Sequence, residues 1–381
     1  YELPTTIPGL TFSSGLDAGF AAVPEIIAAE APDVLVGLTH MGYAPYADEI
    51  DSDVLLAEGV AGIDVIIGAH SHTFLDPAVM VASAVNPDGT LVAQTGRYAM
   101  NLGKVNVGFI GDEIVLREGY LLSANDAPLD DEMMAFLAPF EAELAAYTGT
   151  ELGLTEVPID ALLAYTQETN GANLQADSAV FELIDNGIAV DLHLSGAMSN
   201  RKVADGATAA DPVALTVQDM YSLMPYENSL LVLSMNGTQL KAVLERGYRN
   251  YWYYKYTPDF GGYSHYTTCM LTTDSGNVIT YDEKSVATPG DTPPDGDNVV
   301  SLMVDGAPVD FADAATFYNV STVNYLAAGS CNFNNAGVTI WPLDQIVADT
   351  QFYVRDSVID YLMAQTASIA PAIEGRLVFN P

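Results

Sequence analysis

The chain is 381 residues long, 49% of them hydrophobic, and carries 50 acidic against 12 basic side chains, a formal net charge of −38 at pH 7. A field of that sign repels nucleic acid and anionic membranes, which excludes polyanion partners, and it suits solubility in a salty or otherwise harsh external medium. Length and apolar content suffice for two domains with a core each, and no apolar run approaches the ~18 residues of a membrane span.

In chain order, the first elements are two short apolar runs, Val34 to Leu38 and Val65 to Ile67, rich in β-branched residues and bounded by turn formers. Both read as buried parallel strands. A helix-like stretch, Asp48 to Val60, lies between them. The resulting strand–helix–strand unit carries histidines just past both strand ends: His40 after the first, His70 and His72 after the second. Open α/β sheets place ligand sites there. A lone loop histidine is commonly a surface or capping residue, but three of the chain's five fall in this one window, and neutral imidazole is the commonest metal ligand. His70 and His72 would face opposite ways on a continuing strand, so both can bind only if the chain turns at Ala69 to Ser71.

The first domain reads as ending near Ser123. A connecting helix over Asp130 to Tyr147 follows, with Met133, Met134, Phe136, Leu137, Phe140, Leu144 and Ala145 in a stripe expected to pack between domains. Beyond Pro158, helices such as Gly237 to Tyr248 mix with strands such as Leu230 to Met235 and Val299 to Val304. The cluster Tyr251, Trp252, Tyr253, Tyr254 and Tyr256 reads equally as core, lid or contact surface. Aspartates in the loop Thr288 to Asn298 could hold calcium, but the spacing lacks the full EF-hand pattern and favours a solvated loop. Cys269 and Cys331 are compatible with one disulfide or with two inert thiols. Asn236 and Asn319 head glycosylation sequons.

Several motifs carry a resemblance. Thr39-His-Met-Gly, the run from Asp53 through Gly-Ala-His-Ser-His-Thr73, and Gln94 to Val107 resemble the second half of a calcineurin-like metallophosphoesterase domain, more narrowly that of the 5'-nucleotidase and 2',3'-cyclic phosphodiesterase family. Gly171 to Asp177, Met224 to Leu230, Met235 to Glu245 and Tyr318 to Gly329 resemble that family's C-terminal substrate domain. The resemblance implies an α/β and α+β chain. Residues 1–123 would form the C-terminal half of the metallophosphoesterase sandwich, 124–157 a connecting helix and linker, and 158–381 the substrate-binding domain.

It also implies two divalent transition metals, zinc, manganese or iron, with His40, His70 and His72 among the ligands. The family's Asp-x-His, Gly-Asp and Asn-His motifs, the last carrying its transition-state histidine, do not occur before His40, so no residue here takes a catalytic role. The chain is expected to be a fragment that presents a metal half-site. Tyr226 and Tyr325 occupy the family's two base-stacking positions. Its polar contacts correspond to Ser195, Asn200 and Gln167, with Arg201 one place later, and its ribose-binding aspartate corresponds to Cys331. Losing planar, bidentate donors at such positions changes the chemistry.

Two functions follow. One is an extracytoplasmic phosphoesterase, in the extracellular space, cell surface or periplasm, hydrolysing a nucleotide or other small phosphate ester once the N-terminal half is supplied. The other is a degenerate member kept as a structural or surface-assembly protein, for which self-assembly is expected.

Overall fold

The computed structural model describes residues 7–44, 51–196, 199–256, 270–283, 298–335 and 337–381. The chain divides into two compact units, Gly9–Leu137 and Ala138–Pro381, the second also taking in the residues before Gly9.

The first unit runs α1 (Gly15–Glu30), β1 (Val36–Leu38), α2 (Asp53–Gly59), β2 (Val65–Ile67), β3 (Val79–Val81), β4 (Thr90–Ala93), β5 (Asn101–Ile110) and β6 (Glu113–Ser123). β1, β2 and β4 are parallel neighbours, in register at Val36↔Val65 and Val65↔Leu91, and β3 closes one side antiparallel, giving the order β1-β2-β4-β3. The expected strands thus form, each three residues long. Ile66 of β2, Val81 of β3 and Val92 of β4 pack with Val23, Leu56, Ala57 and Val60 into a small core, whereas β1 is not the buried strand its apolar run suggests. β1 is an edge, and its Leu38 is 81% exposed.

The helix between the strands begins later than its periodicity suggests. Ser52, in extended backbone, accepts from the Leu55 N–H at 3.1 Å and fixes the start of α2 at Asp53, as a side-chain N-cap does; residues 45–50 lie outside the described residues. β5 and β6 make a long hairpin from Asn101↔Ser123 to Ile110↔Glu113. Gly111 at its tip has φ +61°, the left-handed conformation such a two-residue connection requires.

The helix α3 (Asp131–Thr148) forms one residue from the expected start, but it buries none of its residues and leaves its stripe exposed, Phe136 by 64%.

The second unit continues with β7 (Glu151–Thr155), β8 (Ile159–Asp160), α4 (Asn170–Asp185), β9 (Leu192–His193), β10 (Lys202–Val203), β11 (Val213–Thr216), α5 (Val217–Leu223), β12 (Ser229–Asn236) and α6 (Gly237–Tyr256). After these come β13 (Val278–Asp282), β14 (Val299–Val304), β15 (Ala307–Pro308), β16 (Phe317–Val323), α7 (Asn324–Ala327), β17 (Asn334–Asn335), β18 (Val338–Thr339), β19 (Ile346–Tyr353), α8 (Val354–Ala364) and β20 (Leu377–Asn380). Two four-stranded sheets dominate, β19-β12-β16-β9 and β15-β14-β13-β20.

One continuous core unites them with α4, α5, α6 and α8. β12, Ser-Leu-Leu-Val-Leu-Ser-Met-Asn, is buried almost throughout, as a central strand covered on both faces must be. Tyr251 and Trp252 are core, Tyr251 stacking on Phe379 at 4.6 Å between ring centroids, while Tyr254 is half-buried. The side chains of Tyr253 and Tyr256 lie outside the described residues, as do Cys269 and most of the proposed calcium loop. Cys331 is disulfide-bonded.

Candidate functional site

Two strand ends carry the candidate chemistry, one in each unit. In the first unit, β1 and β2 are in parallel register, Leu38 opposite Ile67, so the loops that follow leave the sheet side by side. The His40 and His70 ring centroids come to 5.3 Å, edge to face. The required turn is present: His70 and His72 both have left-handed backbone, φ +74° and +56°. His72 is directed to Tyr98, 6.2 Å between centroids.

Left-handed backbone at a non-glycine residue is strained, by about 1–3 kcal/mol, and persists only where its surroundings over-determine it. Gln94, buried at the end of β4, does that here. Its Oε1 accepts from the Ser71 hydroxyl at 3.0 Å and from the Thr73 N–H at 2.5 Å, and its Nε2 donates to the Ala69 carbonyl at 2.9 Å. Ser71 Oγ in turn accepts from the Tyr43 N–H at 3.0 Å, tying the His40 loop to the His70 loop.

Beneath them lies Asp53, fully buried. Its Oδ1 accepts from the Thr39 hydroxyl at 2.5 Å; its Oδ2 has no hydrogen-bond partner and faces Gly68, where a Cβ would come within 1.8 Å. Burial pushes the Asp53 carboxyl up, opposed by hydrogen bonding from Thr39 and Gln94 and by the nearby His40. Burial also pushes His70 down, and His40 and His72 add to the shift.

A neutral imidazole is the form that binds a transition metal, so the donors fit such an ion in kind. They do not complete a site: among the described residues, no three His, Cys, Asp or Glu side chains form a group that could hold a metal ion.

In the second unit, β12 and β16 are antiparallel with Leu230 opposite Val323, and β9 is parallel to β16 with Ser321 opposite His193. The segment before β12 and those after β16 and β9 therefore emerge at one end of the sheet, bringing the Tyr226, Tyr325 and Asn200 segments together. Asn324 Oδ1 accepts from the Ser229 and Tyr325 N–H groups at 3.0 and 2.9 Å, pinning both tyrosine-bearing segments. Tyr226 is 65% exposed. Tyr325 is half-buried, and its phenol is raised by burial with a contribution from Tyr226. Arg355 lies 3.8 Å from the centroid of Tyr221 and donates to the Met224 carbonyl at 3.1 Å, supporting the loop that presents Tyr226.

Gln167 and Asn200 are exposed, Gln167 in the turn before α4. Ser195 is placed differently from a surface contact. It is fully buried, exchanging backbone hydrogen bonds with Thr272 at 2.6 and 3.2 Å, because it continues β9 into the core. Cys331 is buried as well, its carbonyl accepting from Asn250 Nδ2 at 2.7 Å.

A model of the 5'-nucleotidase C-terminal domain matches residues 151–337. The trifunctional nucleotide phosphoesterase protein YfkN of Bacillus subtilis (strain 168) is 30% identical over 267 residues, covering 65% of this chain. The 5'-nucleotidase of Diplobatis ommata is 23% identical over 398 residues, covering 98% of this chain. The chain belongs to the 5'-nucleotidase family.

The chain spans 16% of the length of the first of these relatives and 62% of the second. Two crystal structures share its fold. The 5'-nucleotidase precursor from Thermus thermophilus has a TM-score of 0.60 at 23% identity, covering 98% of this chain and 69% of that one. A putative 5'-nucleotidase from Staphylococcus aureus has a TM-score of 0.70 at 19% identity, covering 99% and 70%. The architecture is thus a partial metallophosphoesterase α/β sandwich with a 5'-nucleotidase-type C-terminal domain.

Two residues of the first site, Asp53 and Gln94, carry no pattern that marks them in the sequence. Both stand at the start of motifs used only for resemblance, and a hydrophobic pattern does not mark a buried carboxylate or amide.

Proposed function

We propose that the chain is part of an extracytoplasmic metal-dependent phosphoesterase acting on nucleotides or related small phosphate esters, complete only with the family's other metal-binding half. The observation that carries this reading is the His40–His70 pair at the ends of adjacent parallel strands. The tyrosines at the end of the second unit's sheet and relatives that are nucleotide phosphoesterases and 5'-nucleotidases support it. In this reading 1–123 belongs to the metal domain, 124–157 links and 158–381 binds substrate.

His40, His70 and His72 would hold part of a centre of two divalent transition metals, which when bound activates the attacking water and takes up charge on phosphoryl oxygen. The chain's own contributions are local. Gln94 and Ser71 hold the His40 and His70 loops in place, burial pushes the His70 pKa down, and Tyr226 and Tyr325 would offer flat faces to a base. Stacking of that kind is worth about 1–3 kcal/mol per base. The charge of −38 and the disulfide at Cys331 support a location outside the cytoplasm, where disulfides persist. Among the described residues, no helix is long and apolar enough to cross a membrane.

The burial of Ser195 and the engagement of Cys331 in a disulfide favour a second reading. In it the fold is retained as a structural or surface-assembly protein, since fold alone does not fix function. Metal analysis of the protein isolated from its source, beside intact mass and a phosphatase assay on nucleotide monophosphates, separates the two. About two transition-metal ions per molecule with phosphate release is the expected result. A metal-free protein without turnover would establish the structural role instead.

A further inference from the structure

We infer that Arg97 is the residue of the first unit that recognises the substrate's phosphoryl group, a guanidinium held beside the histidines to take up an oxyanion. The inference rests on the phosphoesterase reading and names the part of the substrate that this unit grips.

The turn that carries Arg97 is built against the His72 loop. β4 ends at Ala93, and the chain then passes Gln94, whose side chain holds Ser71 and Thr73. Gly96 N–H donates to the carbonyl of Thr73, the residue after His72, at 2.9 Å. A Cβ at Gly96 would clash with the Phe74 ring, so this close approach needs glycine. Met100 N–H closes the turn on the Arg97 carbonyl at 3.2 Å, and Asn101 Nδ2 donates to the Thr95 carbonyl at 3.2 Å.

Within the turn, Tyr98 and Ala99 have φ +58° and +51°, left-handed backbone that side-chain-bearing residues rarely adopt. Strain of this kind gathers at binding sites, and here its result is a placement. Tyr98 stands 75% exposed with its ring 6.2 Å from the His72 imidazole, and the Arg97 guanidinium carbon lies over that ring, 5.2 Å from its centre. A guanidinium over an aromatic face keeps its five N–H groups in its own plane, free to bind. Among the described residues, the Arg97 side chain makes no ion pair or hydrogen bond, although the chain has 50 acidic side chains against 12 basic ones. Arg117, Arg355 and Arg376 are each matched to a carboxylate. An anionic ester is repelled by such a surface unless a local cation receives it. The arginine fork matches two unesterified oxygens of one phosphate, so a phosphate ester carries the group that Arg97 binds and a free nucleoside lacks it.

Arg97→Gln removes the charge at an exposed position, and Arg97→Lys keeps the charge without the fork. The full-length protein with its metals is titrated calorimetrically with inorganic phosphate and with adenosine, and its hydrolysis of adenosine 5'-monophosphate is followed alongside. In Arg97→Gln, phosphate affinity falls and KM for the nucleotide rises, each by about tenfold or more, the size of a charged hydrogen bond. Adenosine binding, metal content and the thermal midpoint hold. Arg97→Lys recovers part of the loss. If Arg97→Gln binds phosphate as wild type does, or loses metal along with phosphate, the role of Arg97 is overturned and the histidine site stands. If wild type neither binds phosphate nor releases it from the nucleotide, the phosphoesterase reading falls and the role of Arg97 with it.

Discussion

His193 sits at the centre of the second unit with no exposed surface. Gln175 Nε2 approaches its Nε2 at 3.1 Å, and Nδ1 lies 3.0 Å from the Ser321 hydroxyl. An amide NH₂ is a donor, so the ring proton sits on Nδ1 and the imidazole is neutral. Burial depresses its pKa from 6.5 to about 3. The unfolded chain therefore takes up a proton below pH 6.5 that the folded chain refuses until about pH 3, and stability is lost as pH falls through that window. At pH 4.5 the loss is about 3 kcal/mol, roughly two pH units below the ordinary histidine value at about 1.36 kcal/mol each. Asp274, which accepts from the His193 backbone N–H at 2.7 Å, has its carboxyl raised by burial and so acts in the opposite sense. Denaturant titrations at pH 7 and pH 4.5 on wild type and His193→Gln isolate the histidine: the variant is expected to lose about 3 kcal/mol less on acidification. Parallel losses in the two proteins would show that His193 is not the group responsible.

At the level of elements, the loop after β2 depends on one amide from the neighbouring β4. Gln94→Leu keeps the volume but removes the acceptor for Ser71 and Thr73 and the donor for Ala69. Leaving such groups buried and unpaired costs about 1–3 kcal/mol each. The expected outcome is a drop of at least about 2 kcal/mol in stability, with the His70 loop amides losing hydrogen-exchange protection first; uniform exchange across the unit would contradict it.

This dependence also shows where sequence patterns stop. Short β-branched runs announce β1 and β2, but only β2 is buried; β1 is an edge strand whose Val36 and Leu38 are exposed, which a short apolar run does not distinguish. The turn at His70 could be required from the spacing of His70 and His72, but not what holds it, since Gln94 is distant in the chain and its role is set by strand order. The burial of Ser195 is hidden from sequence for a related reason: its bridge to Thr272 joins segments far apart in the chain. The stripe on α3 was legible as a pattern, yet periodicity names a face and not what covers it.

Over the whole molecule, 50 acidic side chains stand against 12 basic ones, and several of the few cations are committed to structure. Arg376 is buried in a two-pronged pair with Asp177 at 2.7 and 2.8 Å and also contacts Glu374 at 2.8 Å. Arg117 lies 3.6 Å from Asp64 and donates to the Gly89 and Asp88 carbonyls. The remaining carboxylates repel one another over distances that ~0.1 M salt screens beyond roughly 10 Å, so net charge works against the compact state. The thermal midpoint should rise as sodium chloride goes from about 0.05 to about 1 M, where the screening length falls to roughly 3 Å. A midpoint independent of salt would mean that the charges are dispersed enough not to matter.

β1 gives the same surface its opposite character. Among the described residues it is the edge strand of a parallel sheet, with Val36 and Leu38 exposed beside its main-chain donors and acceptors. Like charge holds identical copies apart at low ionic strength. The salt that relieves internal strain also removes that barrier to strand-on-strand adhesion, so the conditions that make one molecule more stable are those in which a concentrated stock would be first to turn cloudy.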